Sequence, residues 1–285
     1  MKMRILILLL IFWAAQLSGQ NKFSFVFLPD LHLQPDSAIE ADFNRLAKQI
    51  NKIHPDFILA GGDMIYTAKN GDEKKARMLF DFMDTELKKF KMPVYLTMGN
   101  HEVVGILPNS DIESSHPQWG KRMYEQRYGK RYKTFEYSGW KFFLLDGIKI
   151  QEEKMNYTSG VDSEQMDWIK NELENTPADV PIVVSIHTPL VNPKALGDSG
   201  VNALSENAKA VLDLFDGHNL KMVLQGHNHL YMNLLIDGIH FVSGGSTSHS
   251  DDLKTFNDGF ILVRNKGNHE GTEFIPTKRP ESVHD

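Results

Sequence analysis

Asp30, His32, Asp63, Asn100, His187, His227 and His229 are seven side chains of the kinds that bind metal cations, and each follows a short apolar run. Together they offer carboxylate, imidazole and amide-oxygen donors. One structural zinc ion is filled by four donors. Seven suit a pair of ions roughly 3.5–4 Å apart that share a carboxylate and a water. The chain has no cysteine, so thiolate ligation is excluded and Zn, Mn or Fe is favoured over Cu(I) or an iron–sulfur cluster. His227 and His229 stand two residues apart, a spacing that projects both imidazoles to one side of an extended segment. Aiming them at different ions therefore requires a turn. Gly62, Gly99 and Gly226 adjoin candidate ligands and let the backbone turn sharply there. No single piece is diagnostic, because an isolated histidine is more often a satisfied or exposed side chain than a ligand. The ordered set carries the inference.

Such a set needs strands that end together. Residues 23–28, 57–60, 94–97, 182–185 and 222–224 are short β-branched or aromatic runs, the pattern of buried strands. Each leads within a few residues into a candidate ligand, and α/β sheets gather their ligands at the carboxyl edges of strands. Apolar residues at helical spacing run through 38–53, 73–90, 162–175 and 202–215. Asp162, with Gln165 three positions on, reads as an N-cap in a capping box. Residues 132–137, 141–145, 230–236, 239–243 and 260–264 read as further strands with little helix between them. The expected architecture is a two-sheet α/β domain with helices outside.

The segment 103–133 contains Pro108 and Pro117 and is expected to lie as a loop with a short helix over the strand edge. Its Lys121, Arg122, Arg127, Lys130, Arg131 and Lys133 either attract an anionic substrate or form a solvated basic face, the commoner fate of a charge run. Trp119 and Tyr124 either stack on a base or, more commonly, pack in the core. Residues 265–285 are polar and expected to fray.

With 285 residues, 41% hydrophobic and 24% charged, the chain has material for a sizeable core, and no repeat or linker divides it. Its net charge of −6, with lysine and arginine scattered, argues against a stable nucleic-acid partner but not against a small phosphate ester. Residues 1–19 have the form of a secretory signal peptide: Lys2 and Arg4, an apolar stretch over 5–15, then small and polar residues. The stretch is shorter than the roughly 20 residues that span a bilayer, so the mature chain, 20–285, is expected to lack a transmembrane segment. An uncleaved anchor or a buried N-terminal strand is the competing reading. Export to the periplasm or beyond, without cysteine, leaves stability to the core alone.

The motifs Asp30-Leu-His32, Gly62-Asp63, Gly99-Asn100-His101-Glu102, Val184-Ser-Ile-His187 and Gly226-His227-Asn228-His229 resemble those of the calcineurin-like metallophosphoesterase superfamily. The resemblance runs from about Phe23 to Gly245. It implies a single-domain, four-layer αββα sandwich with a dinuclear metal site along one edge, holding two divalent or trivalent ions (Fe, Mn or Zn). By the same resemblance, Asp30, His32 and His229 hold one metal, Asn100, His187 and His227 hold the other, and Asp63 bridges them. His101 is the catalytic candidate beside the substrate, and Glu102 is a supporting or pocket residue. The implied activity is hydrolysis of a phosphate mono- or diester by a metal-bridging hydroxide. Tyr66 departs from the pattern: many members carry a carboxylate three residues after the bridging Asp. Gly62-Asp63-Met-Ile-Tyr66 is similar to the purple acid phosphatases, where this Tyr ligates ferric iron, yet those enzymes have Gly where this chain has His32. His32 instead matches the cyclic nucleotide phosphodiesterase type. Tyr66 is therefore expected to support the site or line its pocket without ligating metal. A catalytically inactive metal-binding module and a phosphoprotein phosphatase are the alternatives, and the sequence leaves the oligomeric state open.

Overall fold

Alternation along the central strands sorts their apolar side chains among three core layers. The computed structural model describes residues 22–192, 205–245, 259–267 and 270–276. The expected signal segment, 1–19, lies outside them. On β1 (Phe23–Leu28), Phe23, Phe25 and Phe27 face one way while Val26 and Leu28 face the other. The same period of two divides β2 (Phe57–Ala60) into Phe57 and Leu59 against Ile58 and Ala60. On the opposing sheet, β5 (Trp140–Leu145) sends Trp140, Phe142 and Leu144 inward and Phe143 and Leu145 outward.

The inward sets meet as an aromatic layer between two sheets. One sheet has five strands: β13 (Glu270–Pro276), β12 (Gly259–Asn265), β1, β2 and β3 (Val94–Leu96), in that spatial order. The other has six: β10 (Met232–Ile236), β11 (Ile239–Ser243), β9 (Asn219–Gln225), β8 (Pro181–Ile186), β5 and β4 (Lys133–Tyr137). The central strands β1–β3 run parallel in the first sheet, as do β5, β8, β9 and β11 in the second. Helices α1 (Ser37–Ile53) and α2 (Glu73–Leu87) cover the outer face of the five-stranded sheet with Phe43, Leu46, Ile50, Leu79, Phe80 and Met83. Helices α4 (Ser163–Glu174) and α5 (Ala208–Asp213) cover the other sheet with Ile169, Leu173 and Val211. The result is a four-layer αββα sandwich. Among the described residues no helix is long and apolar enough to cross a membrane.

Phe57 stacks on Phe25 at 4.9 Å between ring centroids and meets Phe142 edge-on at 5.4 Å, with almost no exposed surface. Truncation leaves a cavity that neighbouring rings cannot collapse into. Phe57→Ala is expected to cost ~3–5 kcal/mol of stability in denaturant titration. Met78→Ala on the exposed face of α2 should change stability by less than ~0.5 kcal/mol.

Several sequence expectations need correction. Only part of the basic run is a solvated face, with Arg122 and Lys130 exposed. Lys121 and Arg131 both bind the buried Asp146, Arg127 binds Asp81 and Asp84, and Arg122 donates to the carbonyls of Ser114 and His116. Tyr124, on the short helix α3 (Arg122–Tyr128), agrees with the favoured reading: it is buried in the core and donates its hydroxyl to Leu96 O. Asp162 does cap α4 by accepting from Gln165 N, but the Gln165 side chain turns instead to the Asp146 backbone. The tail after 265 contains β13, an edge strand paired with β12 that was not anticipated, and its end, 277–285, lies outside the described residues. Only residues 208–213 of the expected 202–215 segment form a helix, and 202–204 lie outside the described residues. The β6 (Ile148–Gln151) and β7 (Asn156–Ser159) hairpin was not anticipated.

Candidate metal centre

Strand ends bring the seven candidates to one edge of the sandwich. Asp30 and His32 follow β1, Asp63 follows β2, Asn100 follows β3, His187 follows β8, and His227 and His229 follow β9. Backbone hydrogen bonds lace the first two turns together: Asp30 N donates to Gly62 O and His32 N to Asp63 O, each at 2.9 Å. His227 N in turn donates to both oxygens of the Asp30 carboxylate at 3.1 Å, tying the two sheets at the site.

Five of the candidates, Asp30, His32, Asp63, His227 and His229, have φ between 46° and 72°. Non-glycine residues rarely occupy this left-handed region, and they persist there only where the surroundings impose it. Gly62 shares this conformation at φ 92°, but Gly99 and Gly226 do not. Glycine is needed at 99 and 226 for close approach: a Cβ on Gly99 would strike the Asp63 backbone and carboxylate, and one on Gly226 would sit 2.6 Å from Asp30 Oδ2.

The donors fall into two neighbouring groups. In the first, His32 Nε2 and His229 Nε2 are 3.0 Å apart, and His229 Nε2 is 3.5 Å from Asp30 Oδ1. In the second, His187 Nε2 is 3.0 Å from Asp63 Oδ2, and His227 stands beside it with ring centroids 5.3 Å apart. His227 and His229 thus serve different groups, because the intervening turn swings them apart.

Asn100 completes the second group. One terminal atom of its amide lies 3.0 Å from His227 Nδ1 and 3.2 Å from both Asp63 Oδ2 and His187 Nε2. The other terminal atom lies 3.0 Å from Lys69 Nζ and 3.2 Å from Tyr157 OH. With the nitrogen inward, hydrogen bonds alone satisfy the amide. With the oxygen inward, the amide oxygen, a carboxylate oxygen and two imidazole nitrogens point at one spot, which either a metal cation or a proton on His187 Nε2 would occupy. The donor set therefore fits a bound metal. A third cluster, His32, Asp63 and His101, has ligand atoms equally close together.

Burial shapes the protonation of these groups. It holds the His32 and His227 imidazoles down at about 4, leaving them neutral with lone pairs to offer. Burial also opposes protonation of His187, but Asp63 and Asp30 outweigh it and raise this imidazole to about 9. Its Nδ1 donates to Gly61 O at 2.9 Å, which turns Nε2 toward the cluster. A metal entering beside His187 displaces a proton.

Glu102 lies outside the donor groups and organises them. Its Oε2 accepts from Gly99 N at 2.8 Å and Asp63 N at 3.0 Å, and its Oε1 accepts from Met64 N at 2.7 Å and Ile65 N at 3.2 Å. One buried carboxylate thus binds the turn after β2 to the turn after β3. Burial and Asp63 push that carboxyl up to about 7.

His101 faces the cluster from the open side. Its backbone N–H donates to Asp63 Oδ1 at 2.8 Å, its Nδ1 is held by Tyr66 O, and its Nε2 is 3.7 Å from Asp63 Oδ2. Tyr66 contributes that carbonyl, while its side chain is 47% exposed. Tyr66→Phe is accordingly expected to leave the absorption spectrum of iron-loaded protein unchanged. A violet band present in the parent and lost in the variant would make the phenol a ligand. Lys69 and Tyr157 went unnoticed in the sequence, because neither sits in a motif and the β6–β7 hairpin was not foreseen.

The sequence matches calcineurin-like phosphoesterase over residues 23–231. The chain belongs to that family. Solved structures agree on the fold. A dimetal phosphatase from Danio rerio superposes with a TM-score of 0.59 at 15% identity, covering 90% of this chain and 99% of that one. A purple acid phosphatase from yellow lupin (Lupinus luteus) seeds gives 0.63 at 14% identity, covering 91% of this chain and 52% of its own. GAP50, described as the anchor in the inner membrane complex of Plasmodium, gives 0.57 at 14% identity, covering 92% and 87%. A comparison with curated proteins finds no match. As a calcineurin-like phosphoesterase, the chain belongs to a dinuclear metal-dependent family, and its His/Asp groups could hold such metals.

Proposed function

We propose that this calcineurin-like phosphoesterase hydrolyses phosphate mono- or diesters at a two-metal centre. Asp30, His32 and His229 would hold one ion, Asn100, His187 and His227 the other, and Asp63 would bridge them. The convergence of the Asn100 amide with the Asp63 carboxylate and the imidazoles of His187 and His227 on one spot is the observation that carries this reading. When bound, the metal pair supplies Lewis acidity and a water acidic enough to yield hydroxide near neutral pH.

The chain's own residues do the rest. Glu102 keeps the Asp63 and Asn100 turns at fixed separation, so the backbone that carries these donors is held in place before loading. His101, steered by the Tyr66 carbonyl, turns Nε2 toward the donor groups, where it would stabilise developing charge or protonate the departing oxygen. Export would place this activity in the periplasm or outside the cell, where it suits phosphate scavenging or envelope turnover.

A catalytically inactive module on the same fold is the second reading; the GAP50 neighbour, described as an anchor, shows that this fold is not restricted to proteins named as phosphatases. The test is reconstitution with Mn, Zn or Fe followed by assay on an aryl phosphate and a bis-aryl diester. Turnover of either ester with two ions bound supports the enzyme. Two ions bound with no turnover on an extended ester panel favours the inactive module.

A further inference from the structure

Lys69 is a partly buried ammonium placed at the candidate centre without a carboxylate of its own. Its Nζ lies 3.0 Å from the Asn100 amide and 5.5 Å from the centre of the Tyr157 ring. The neighbouring cations differ: Lys121 and Arg131 bind Asp146, Arg127 binds Asp81 and Asp84, and Lys141 binds Glu172. Among the described residues no carboxylate lies within ion-pair distance of Lys69 Nζ. Asn100 stands between it and Asp63. A desolvated cation without an anion is unfavourable unless a partner arrives from elsewhere.

The two orientations of the Asn100 amide say when that partner is required. With the amide nitrogen inward, the oxygen accepts from both Lys69 Nζ and Tyr157 OH. With the oxygen inward, as metal ligation demands, the nitrogen faces Lys69 and the ammonium loses its acceptor. The same half-turn that lends Asn100 to a cation leaves Lys69 and Tyr157 as two adjacent donors at the edge of the site.

We propose that Lys69 and Tyr157 form a phosphoryl-oxygen binding pair that becomes available when Asn100 ligates metal, and that it favours the doubly charged terminal phosphate of a monoester over a singly charged diester. This rests on the two-metal reading above. A third positive charge beside two ions attracts a dianion more than a monoanion, and ammonium and phenol are both good donors to phosphoryl oxygen. Lys69 and Tyr157 are specificity-determining residues here, and Glu102 and His101 keep their separate roles.

The experiment compares manganese-loaded wild type with Lys69→Met, Lys69→Arg and Tyr157→Phe. Inorganic phosphate binding is measured by calorimetry, metal content by elemental analysis, and kcat/KM on 4-nitrophenyl phosphate and its bis-aryl diester. Lys69→Met is expected to keep its manganese, bind phosphate about 10- to 100-fold more weakly, and lose more kcat/KM on the monoester than on the diester. Lys69→Arg should recover part of the phosphate affinity, and Tyr157→Phe should weaken it by about 3- to 10-fold. Phosphate affinity within twofold of wild type in Lys69→Met overturns the proposal. So does loss of manganese from both Lys69 variants, which would make Lys69 part of the metal scaffold. Lys69-dependent phosphate binding by a wild type that cleaves neither ester would retire the hydrolase reading and leave the binding pair standing.

Discussion

Asp63→Asn is expected to lose at least one metal ion per chain and to cut turnover by on the order of 10³-fold or more, the scale of removing a preorganised electrostatic group. Asp63 is placed to be the shared carboxylate, because its ligand atoms cluster with those of His187 and His227 and also with those of His32 and His101; its Oδ2 is 3.0 Å from His187 Nε2 and 3.7 Å from His101 Nε2, and the Asn100 amide lies 3.2 Å away. An amide in its place has one oxygen and one nitrogen, so it cannot present a lone pair to both groups. It also removes the negative charge that draws cations into a buried pocket. Fold is not expected to suffer comparably, because the turn itself is held by Glu102 accepting from the backbone at 63, 64 and 65. Elemental analysis of the reconstituted variant, with circular dichroism as a fold control, decides the matter. Both ions retained at full stoichiometry would count against a bridging role.

His101→Ala should behave in the opposite way, keeping its metal and losing turnover by about 10²–10⁴-fold. The hydrogen bond from this residue to Asp63 comes from the backbone, so alanine preserves it. What disappears is the imidazole, whose Nε2 faces the donor groups and whose Nδ1 is anchored to Tyr66 O. Equal turnover in parent and variant would remove His101 from the chemistry. Loss of an ion would instead place it among the ligands, as its closeness to His32 and Asp63 permits.

The candidate site was legible in the sequence to an unusual depth, for a physical reason. Parallel strands of a sandwich deliver their carboxyl ends to one edge, so a ligand-capable residue after each buried run already encodes convergence. Asp30 after β1, Asp63 after β2 and His187 after β8 need no tertiary knowledge to be paired with a common edge. The strand alternation was equally readable, since Phe23, Phe25 and Phe27 must share a face. Edge elements were harder. β13 is polar on its exposed face, and its pairing with β12 comes from a contact that local pattern does not record.

The amino-acid order by itself determined the chemical types at the strand ends, the two-sheet class and the absence of thiolate ligands, because side-chain identity and period-two burial are local properties. Only the tertiary structure decided how those groups aim. Left-handed backbone at Asp30, His32, Asp63, His227 and His229 is imposed by packing and by cross-strand hydrogen bonds, and no preference of aspartate or histidine foretells all five. It likewise decided which cation meets the centre. Six basic residues cluster in one segment of the sequence, yet Lys121 and Arg131 found the buried Asp146, Arg127 found Asp81 and Asp84, and Lys69, isolated in the chain, came to rest beside Asn100. Charge in a sequence has no direction until the fold supplies its neighbours.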